Sequence, residues 1–360
     1  MVLRSLIARR PHVLTITPAT VEAGLRLAVE AELARRRWPA ASSPADTDVV
    51  LVLGSPGPRL AAVVRSVWAG VPTPRVLAAV PTSAALRSVL DDAAARLAGR
   101  GTSGASNASL LAPSDSNAAP SEPGRAEPDD VEFLASSASS DALLARDVPP
   151  EPQMADLAFY DRDGLALDAL HVALGPVLPH WPAGLVAHLT LAGDLVTDAR
   201  AEVLDVPASV GPGSRGRSPL GPDRTRLDVL TRVLGLLGAD HLAARARHLR
   251  DHDPEPGELT AFGRRLQRHR PLRWAVRDVP LVGGAVEERT LSDRVAHLAG
   301  ALGGSLPPPV RPTAEKAVQA VIGLELGAAR LVLAALDPDT TLGAGPVAAF
   351  APPEVTHHHH

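Results

Sequence analysis

The sequence predicts two domains: an α/β domain with a short parallel sheet and flanking helices, then an α+β, largely helical domain. Three observations support this prediction. Apolar runs of strand length alternate with helical repeats over residues 1–100, a segment rich in Ser, Ala, Gly and Pro follows over 101–150, and hairpin and helical patterns resume over 151–350. A length of 360 residues agrees with two domains or one large one.

The composition indicates a cytoplasmic protein whose core is built from Ala, Val and Leu. Hydrophobic residues make up 45% of the chain, but Phe, Trp and Tyr together only 2%. The net charge of −4 gives no indication of nucleic-acid binding, and the preference for Arg over Lys resembles GC-rich coding bias. The absence of cysteine excludes disulfides, thiolate metal sites and cysteine-ligated iron–sulfur clusters. The N-terminal MVLRSLIARRPHV has no long apolar segment, so we expect no secretory signal.

The first domain is predicted to alternate strands with helices. The strands are expected at 12–16, 48–53 and 76–80, and the helices after Thr17, at 58–69 and at about 83–98. Thr17 is expected to be the N-cap of the first helix, with Pro18 at its first position. A Glu32–Arg36 pair is expected on the surface of this helix.

The loop GSPGP, residues 54–58, joins the second strand to the second helix. A phosphate could bind there at the helix N-terminus. The loop lacks the lysine of a P-loop, however, and its two prolines remove amide donors. We therefore interpret it as a turn that directs the helix.

The second domain is predicted to follow a disordered linker at 101–150, whose composition cannot bury enough surface to offset ordering. Two strands joined by a Pro-rich loop are expected first, the second one folding back at Gly193-Asp194. The remaining elements are expected to be one helical stripe from Arg224 to Arg250, a helix at 257–268, a strand at 272–279, a helix at 290–302 and a helix at 313–336. Residues 351–360 are expected to be a flexible tail, whose four terminal histidines are native or an expression tag.

Two sets of residues are candidates for binding. His241, His248 and His252 could lie on one helical face, but the first two are seven residues apart, so an exposed face is favoured over a metal site. Tryptophan is rare here and is favoured at interface hot spots. The candidate partner-binding residues are Trp68, Trp181 and Trp274, with ordinary core positions as the alternative.

Two stretches of the first domain resemble the small iron–sulfur subunit of the respiratory complex I and membrane-bound nickel–iron hydrogenase superfamily. These are TDVVLVLG at 47–54 and PTPRVLAAVPTSA at 72–84. The resemblance places Ser83 where the family has a cluster-ligating cysteine, and Val148 at another such position. It therefore implies a vestigial cluster site without a cofactor.

Two stretches of the second domain resemble the large subunit of the same superfamily, which forms the quinone pocket. These are LGPVLPHWPAGL at 174–185 and LTLAGDLVTDA at 189–199. The resemblance makes Gly175, Pro176 and His180 remnants of the quinone loop, with His180 out of register with the family's histidines. It implies no catalytic residue in this chain.

The resemblance implies a non-catalytic accessory or scaffolding subunit that has lost its redox centres. Its partners would be subunits of a complex I-like or hydrogenase-like assembly, and it would lie peripherally on the inner face of the plasma membrane. No transmembrane span is expected, because Glu325 and Arg330 interrupt the most apolar helix. The alternative is a soluble enzyme or small-ligand-binding protein that reuses the vacated cluster pocket and the 54–58 loop.

Overall fold

The computed structural model describes residues 10–100, 154–160, 166–205, 220–284, 288–307 and 310–341. Val148, the predicted linker and the predicted tail lie outside these residues. The described chain divides into two compact units. Residues 10–18 and 32–100 belong to the first unit, whereas 19–31 and the residues from 154 onward belong to the second.

The first unit contains a parallel sheet of three strands in the order β1-β2-β3. The strands are β1 (Val13–Ile16), β2 (Val49–Leu53) and β3 (Val76–Val80), and the helices α2 (Pro58–Ala69) and α3 (Leu86–Leu97) belong to the same unit. Helix α1 (Ala23–Arg36) is divided, with residues 23–31 in the second unit and 32–36 in the first. Every residue of β2 is buried, as expected for a central parallel strand covered on both faces. The predicted α/β class is therefore confirmed.

Two details of the first helix differ from the prediction. Helix α1 begins at Ala23, so Thr17 does not cap it and Pro18 is not its first residue. A tertiary contact decides this, because Ala19 is buried and a Cβ added at Gly184 would lie 2.7 Å from the Cβ of Ala19. The Glu32–Arg36 pair forms at 2.8 Å, but Glu32 is buried rather than on the surface.

The second unit begins with an antiparallel sheet in the order β4-β5-β6-β7. Its strands are β4 (Met154–Tyr160), β5 (Ala166–Leu174), β6 (Leu185–Ala192) and β7 (Leu195–Val203). The predicted hairpin at Gly193-Asp194 joins β6 to β7, and Gly193 has the positive φ of 62° that the first position of a type II′ turn requires. Strand β4 was not predicted.

The elements that the structure describes after β7 are helices. They are α4 (Pro222–Leu236), α5 (Asp240–Asp251), α6 (Pro256–Arg268), α7 (Arg270–Val276), α8 (Leu291–Gly300), α9 (Ala314–Gln319) and α10 (Leu326–Leu336). They enclose two apolar clusters, one among the helices and one between the sheet and α9 and α10. The predicted α+β, largely helical class is confirmed.

Two helix predictions and one strand prediction were wrong in detail. The stripe from Arg224 to Arg250 is two helices, because Gly238 adopts a φ of 68° and ends α4. Gly323, with a φ of 85°, lies between the two helices that replace the predicted helix at 313–336. The predicted strand at 272–279 is largely helix α7, because Leu272 and Val276 are buried at helical spacing in the cluster among the helices.

No helix in the described ranges combines the length and the apolar character needed to cross a bilayer.

Candidate functional site

A network of ion pairs lies within the second unit. It joins four arginines to four carboxylates, which are Arg26, Arg232, Arg250 and Arg311 with Glu30, Asp228, Asp251 and Asp337. We call it the arginine–carboxylate network. It connects the start of α1 with α4, with α5 and with the residue that follows α10, so it ties together elements that are far apart in the sequence.

Asp228 is the centre of the network. Its Oδ2 accepts from Arg26 at 2.6 Å and from Arg232 at 3.2 Å, and its Oδ1 accepts from Arg250 at 2.8 Å. Burial by itself would raise the pKa of Asp228, but the charges of the three arginines outweigh burial and hold the pKa well below its usual range. The carboxylate is therefore ionised throughout the physiological pH range.

Arg250 and Arg232 extend the network in two directions. Arg250 is fully buried, and its Nη1 lies 2.8 Å from Glu30, while its Nε donates to Asp251 at 2.8 Å. Arg232 bridges from Asp228 to Asp337, whose Oδ1 lies 2.7 Å from its Nη2. Because each of these cations has carboxylate partners, the arrangement balances its own charge and is suited to hold elements in place.

The loop between β5 and β6 is packed by its own side chains. The Gly175–Pro176 bond is cis, and the indole N–H of Trp181 donates to the carbonyl of Leu185 at 2.7 Å. A Cβ at Gly175 would overlap the indole of Trp181, so only glycine fits beneath the ring. Gly175, Pro176 and Trp181 therefore lie together, as parts of one closed loop.

His180 points from this loop onto helix α4. It adopts a left-handed φ of 61°, and a Cβ added at Gly235 would overlap its imidazole ring. Burial, followed by the positive charge of Arg247, lowers the pKa of His180, and Glu30 opposes this less strongly. The imidazole is therefore neutral at pH 7 and occupies the space between the loop and the helix.

The other predicted site residues belong to other segments of the chain. Ser83 is exposed in the short turn that precedes α3. Trp68 is half-buried beneath the guanidinium of Arg75, which lies 4.3 Å from the ring centroid. Trp274 on α7 is 72% exposed. The structure thus separates the three tryptophan candidates into two packed rings and one exposed ring.

The three candidate histidines are exposed on and after α5. The rings of His248 and His252 lie 4.2 Å apart between centroids, and Nδ1 of His252 is 2.8 Å from the carbonyl of His248. His241 instead lies 3.4 Å from Nη2 of Arg265. In the described part of the chain, no cluster of three His, Asp or Glu side chains could hold a metal ion.

The loop at 54–58 begins with a glycine whose amide is already used. Gly54 has a φ of 64°, and its N–H donates to the carbonyl of Val80 at 2.8 Å. Pro56 and Pro58 have no N–H group, and helix α2 begins at Pro58. Few amide donors of this loop therefore remain for an anion.

A feature that the sequence analysis did not use lies on α6 and α7. Six exposed arginines lie on these helices or directly after α7, the helix that carries Trp274, namely Arg264, Arg265, Arg268, Arg270, Arg273 and Arg277. We call these residues, together with Trp274, the cationic strip. The segment RRLQRHRPLRWAVR carried the signal, but attributing arginine to coding bias concealed it.

A groove lies beside the cationic strip, between α6, α7 and α8. Its volume is about 310 Å³. Its lining is mostly apolar and includes Leu266, Leu272, Val276 and Val295, with Arg273 among the polar lining residues. None of the residues predicted to form a site line the groove.

Comparison with protein-family models, with curated proteins and with solved structures finds no match to this chain.

Proposed function

We propose that this protein is a non-catalytic accessory subunit that docks onto a complex I-like or hydrogenase-like respiratory assembly, on the inner face of the membrane. In this proposal the chain binds other subunits and carries no redox centre of its own. The surface that docks is centred on Trp274.

The exposure of Trp274 is the observation that carries the proposal. A tryptophan that is 72% exposed leaves a large apolar ring in water, although this chain has only four tryptophans. Exposed tryptophans next to arginines are typical of interface hot spots, because both residue types contribute large contact energies when they become buried.

The interior of the second unit supports a structural role for the loop that resembles the quinone loop. Trp181 packs inside the loop, and His180 occupies the space between the loop and α4. The charges that act on His180 include Glu30 and Arg232 of the arginine–carboxylate network, together with Arg247. The loop resembles the quinone loop in sequence, but its own side chains occupy the space where a substrate would bind. It therefore fits a scaffold better than a substrate site.

Capture of the full-length protein from native membranes tests the proposal. The chain carries an added affinity tag, the membranes are solubilised in detergent, and the recovered proteins are identified by mass spectrometry. We expect subunits of a respiratory assembly to be recovered. Trp274→Ala should weaken their capture by about 30-fold, as removal of a hot spot of roughly 2 kcal/mol implies.

The matched control is Trp68→Ala, which removes a tryptophan already covered by Arg75. This variant should recover the same subunits, provided that circular dichroism shows it to be folded. Recovery of no respiratory subunit, together with a metabolite that raises the melting temperature of the purified chain, would replace the proposal by the ligand-binding alternative.

A further inference from the structure

We propose that the cationic strip binds the anionic phospholipid surface of a membrane, with Trp274 inserted at the level of the headgroups. This inference rests on the proposed peripheral location, and it gives the Trp274 surface a lipid contact in addition to the subunits onto which it docks. It follows from how α6 and α7 divide their residues between the core and the solvent.

Both helices bury one face and present arginine on the other. On α6, Leu259, Phe262 and Leu266 are buried, while Arg264, Arg265 and Arg268 are exposed. On α7, Leu272 and Val276 are buried, and the exposed positions include Arg270, Arg273 and Trp274. Because residues three and four apart share a helix face, Arg270 and Arg277 flank Trp274 on the exposed face.

His269 holds the two helices together as one surface. It ends α6 and caps α7, and its Nδ1 accepts from the N–H of Leu272 at 3.2 Å. Gly263 brings α6 against α8, since a Cβ at this position would overlap the carbonyl of Ala299. The cationic strip is therefore built on packed helices rather than on a loose loop.

Most of the charge of the strip is not neutralised by carboxylates in the part of the chain that the structure describes. Arg277 pairs with Asp278 at 2.8 Å, and Arg265 lies against His241. Arg264, Arg268, Arg270 and Arg273 form no ion pair with any residue that the structure describes. The arginines of the buried network, by contrast, all contact carboxylates.

The chemistry of this surface matches anionic lipid. Arginine binds phosphate through two parallel N–H donors, and basic residues close to a bilayer surface are attracted by its negative potential. Tryptophan prefers the interface between water and hydrocarbon, because its ring is apolar and its N–H is polar. Single-stranded nucleic acid would need several aromatic rings along a groove, and the described part of the strip offers one.

Vesicle sedimentation with the purified full-length chain tests this proposal. Phosphatidylcholine vesicles are compared with vesicles in which about a third of the lipid is phosphatidylglycerol. We expect binding to the anionic vesicles only, release at high salt, and a shift of tryptophan emission to shorter wavelength. Trp274→Ala should abolish the emission shift and weaken binding, while the remaining binding keeps its salt dependence.

Removal of charge provides the second arm. The double variant Arg270→Gln and Arg273→Gln should lower partitioning onto anionic vesicles by about 30-fold, because each arginine near the surface contributes about a fivefold factor. The control, Arg59→Gln with Arg100→Gln, removes the same charge from exposed positions of the first unit and should bind within about twofold of wild type. Circular dichroism establishes that both variants are folded.

The lipid proposal is wrong if neutral vesicles bind equally well, if the two double variants behave alike, or if a single-stranded oligonucleotide displaces the vesicles. Its failure can be told apart from failure of the proposed function, because detergent removes the bilayer during subunit capture. Capture that depends on Trp274 without vesicle binding keeps the accessory-subunit proposal and rejects lipid. Vesicle binding without any captured subunit supports the lipid proposal and rejects the accessory role.

Discussion

Replacement of Asp228 by Asn tests whether the arginine–carboxylate network holds the second unit together. The carboxylate is buried and accepts from Arg26, Arg232 and Arg250. Asparagine has nearly the same shape but no charge, and its amide N–H₂ group cannot accept from a guanidinium. The substitution therefore leaves three cations close together with one fewer anion to balance them.

The expected magnitude follows from the burial of these groups. A single charge pair at about 4 Å and an effective dielectric constant of about 20 attracts by about 4 kcal/mol before desolvation is subtracted. Repulsion among the three arginines and the cost of burying them offset part of this attraction. Removal of one partner from a buried pair typically destabilises by about 3–5 kcal/mol, and we expect Asp228→Asn to fall in that range.

The substitution should also change how stability depends on pH. The pKa of Asp228 is held below its usual range in the folded protein, because the arginine charges outweigh the effect of burial. Its stabilisation is complete above its unfolded pKa of about 4 and is lost as the pH falls toward the folded pKa. Below about pH 4 the wild type should therefore lose stability more steeply than Asp228→Asn.

Urea unfolding followed by far-ultraviolet circular dichroism measures both effects. The matched control is Asp278→Asn, which removes an exposed carboxylate paired with Arg277 at 2.8 Å. This control should change the free energy of unfolding by less than about 1 kcal/mol. If Asp228→Asn and Asp278→Asn give the same midpoint, the network does not stabilise the unit and the reasoning is refuted.

Three further predictions concern the loop at 175–184 and the tryptophans. Gly235→Ala should destabilise the protein by about 1–3 kcal/mol, because its Cβ would overlap the imidazole of His180. The control Gly257→Ala, which has nothing within 4 Å of its Cβ, should be neutral or stabilising. Urea midpoints that do not differ between the two variants would contradict the packing of His180 on α4. Trp181→Ala should lower the free energy of unfolding by about 3 kcal/mol, because Trp181 packs against the core and donates a hydrogen bond to the carbonyl of Leu185. Trp274→Ala should change this free energy by less than about 0.5 kcal/mol, because Trp274 is exposed. Thermal unfolding that shows the reverse order would disprove this prediction. His180→Asn keeps a residue that tolerates the left-handed backbone, and it should reduce the loss of stability that the wild type shows below about pH 6.5. The reason is that the pKa of His180 is lowered in the folded protein, so that its contribution to stability is complete above the pKa of the unfolded state and is lost as the pH falls toward the folded pKa. A pH profile of stability that does not change would show that His180 does not titrate on unfolding.

Local patterns were enough to predict several elements and one turn. The apolar runs at β2 and β3 and the helix at Pro58–Ala69 were predicted closely, because each has its own periodicity and flanking turn residues. Gly193-Asp194 fixed the β6–β7 hairpin, since the turn geometry depends on the residues at the turn. The breaks at Gly238 and Gly323 carried a signal too, but a continuous leucine pattern outweighed it.

The candidate sites were predicted less completely. The sequence analysis selected the loop that contains His180 and Trp181, and the structure places both residues in one packed loop. It could not tell which tryptophan would be exposed, since exposure depends on which face of α7 the rest of the unit covers. The roles of Ser83 and of the 54–58 loop stay predictions.

By itself, the sequence determined the fold class and, through the absence of cysteine, excluded thiolate chemistry, because both depend on residue type and short-range pattern. Only the tertiary structure decided which charges are paired. Arg26 and Asp228 are 202 positions apart and yet 2.6 Å from each other, whereas the arginines of the cationic strip are exposed. Coulomb attraction depends on distance in space and on burial, and neither can be read from the order of residues along the chain.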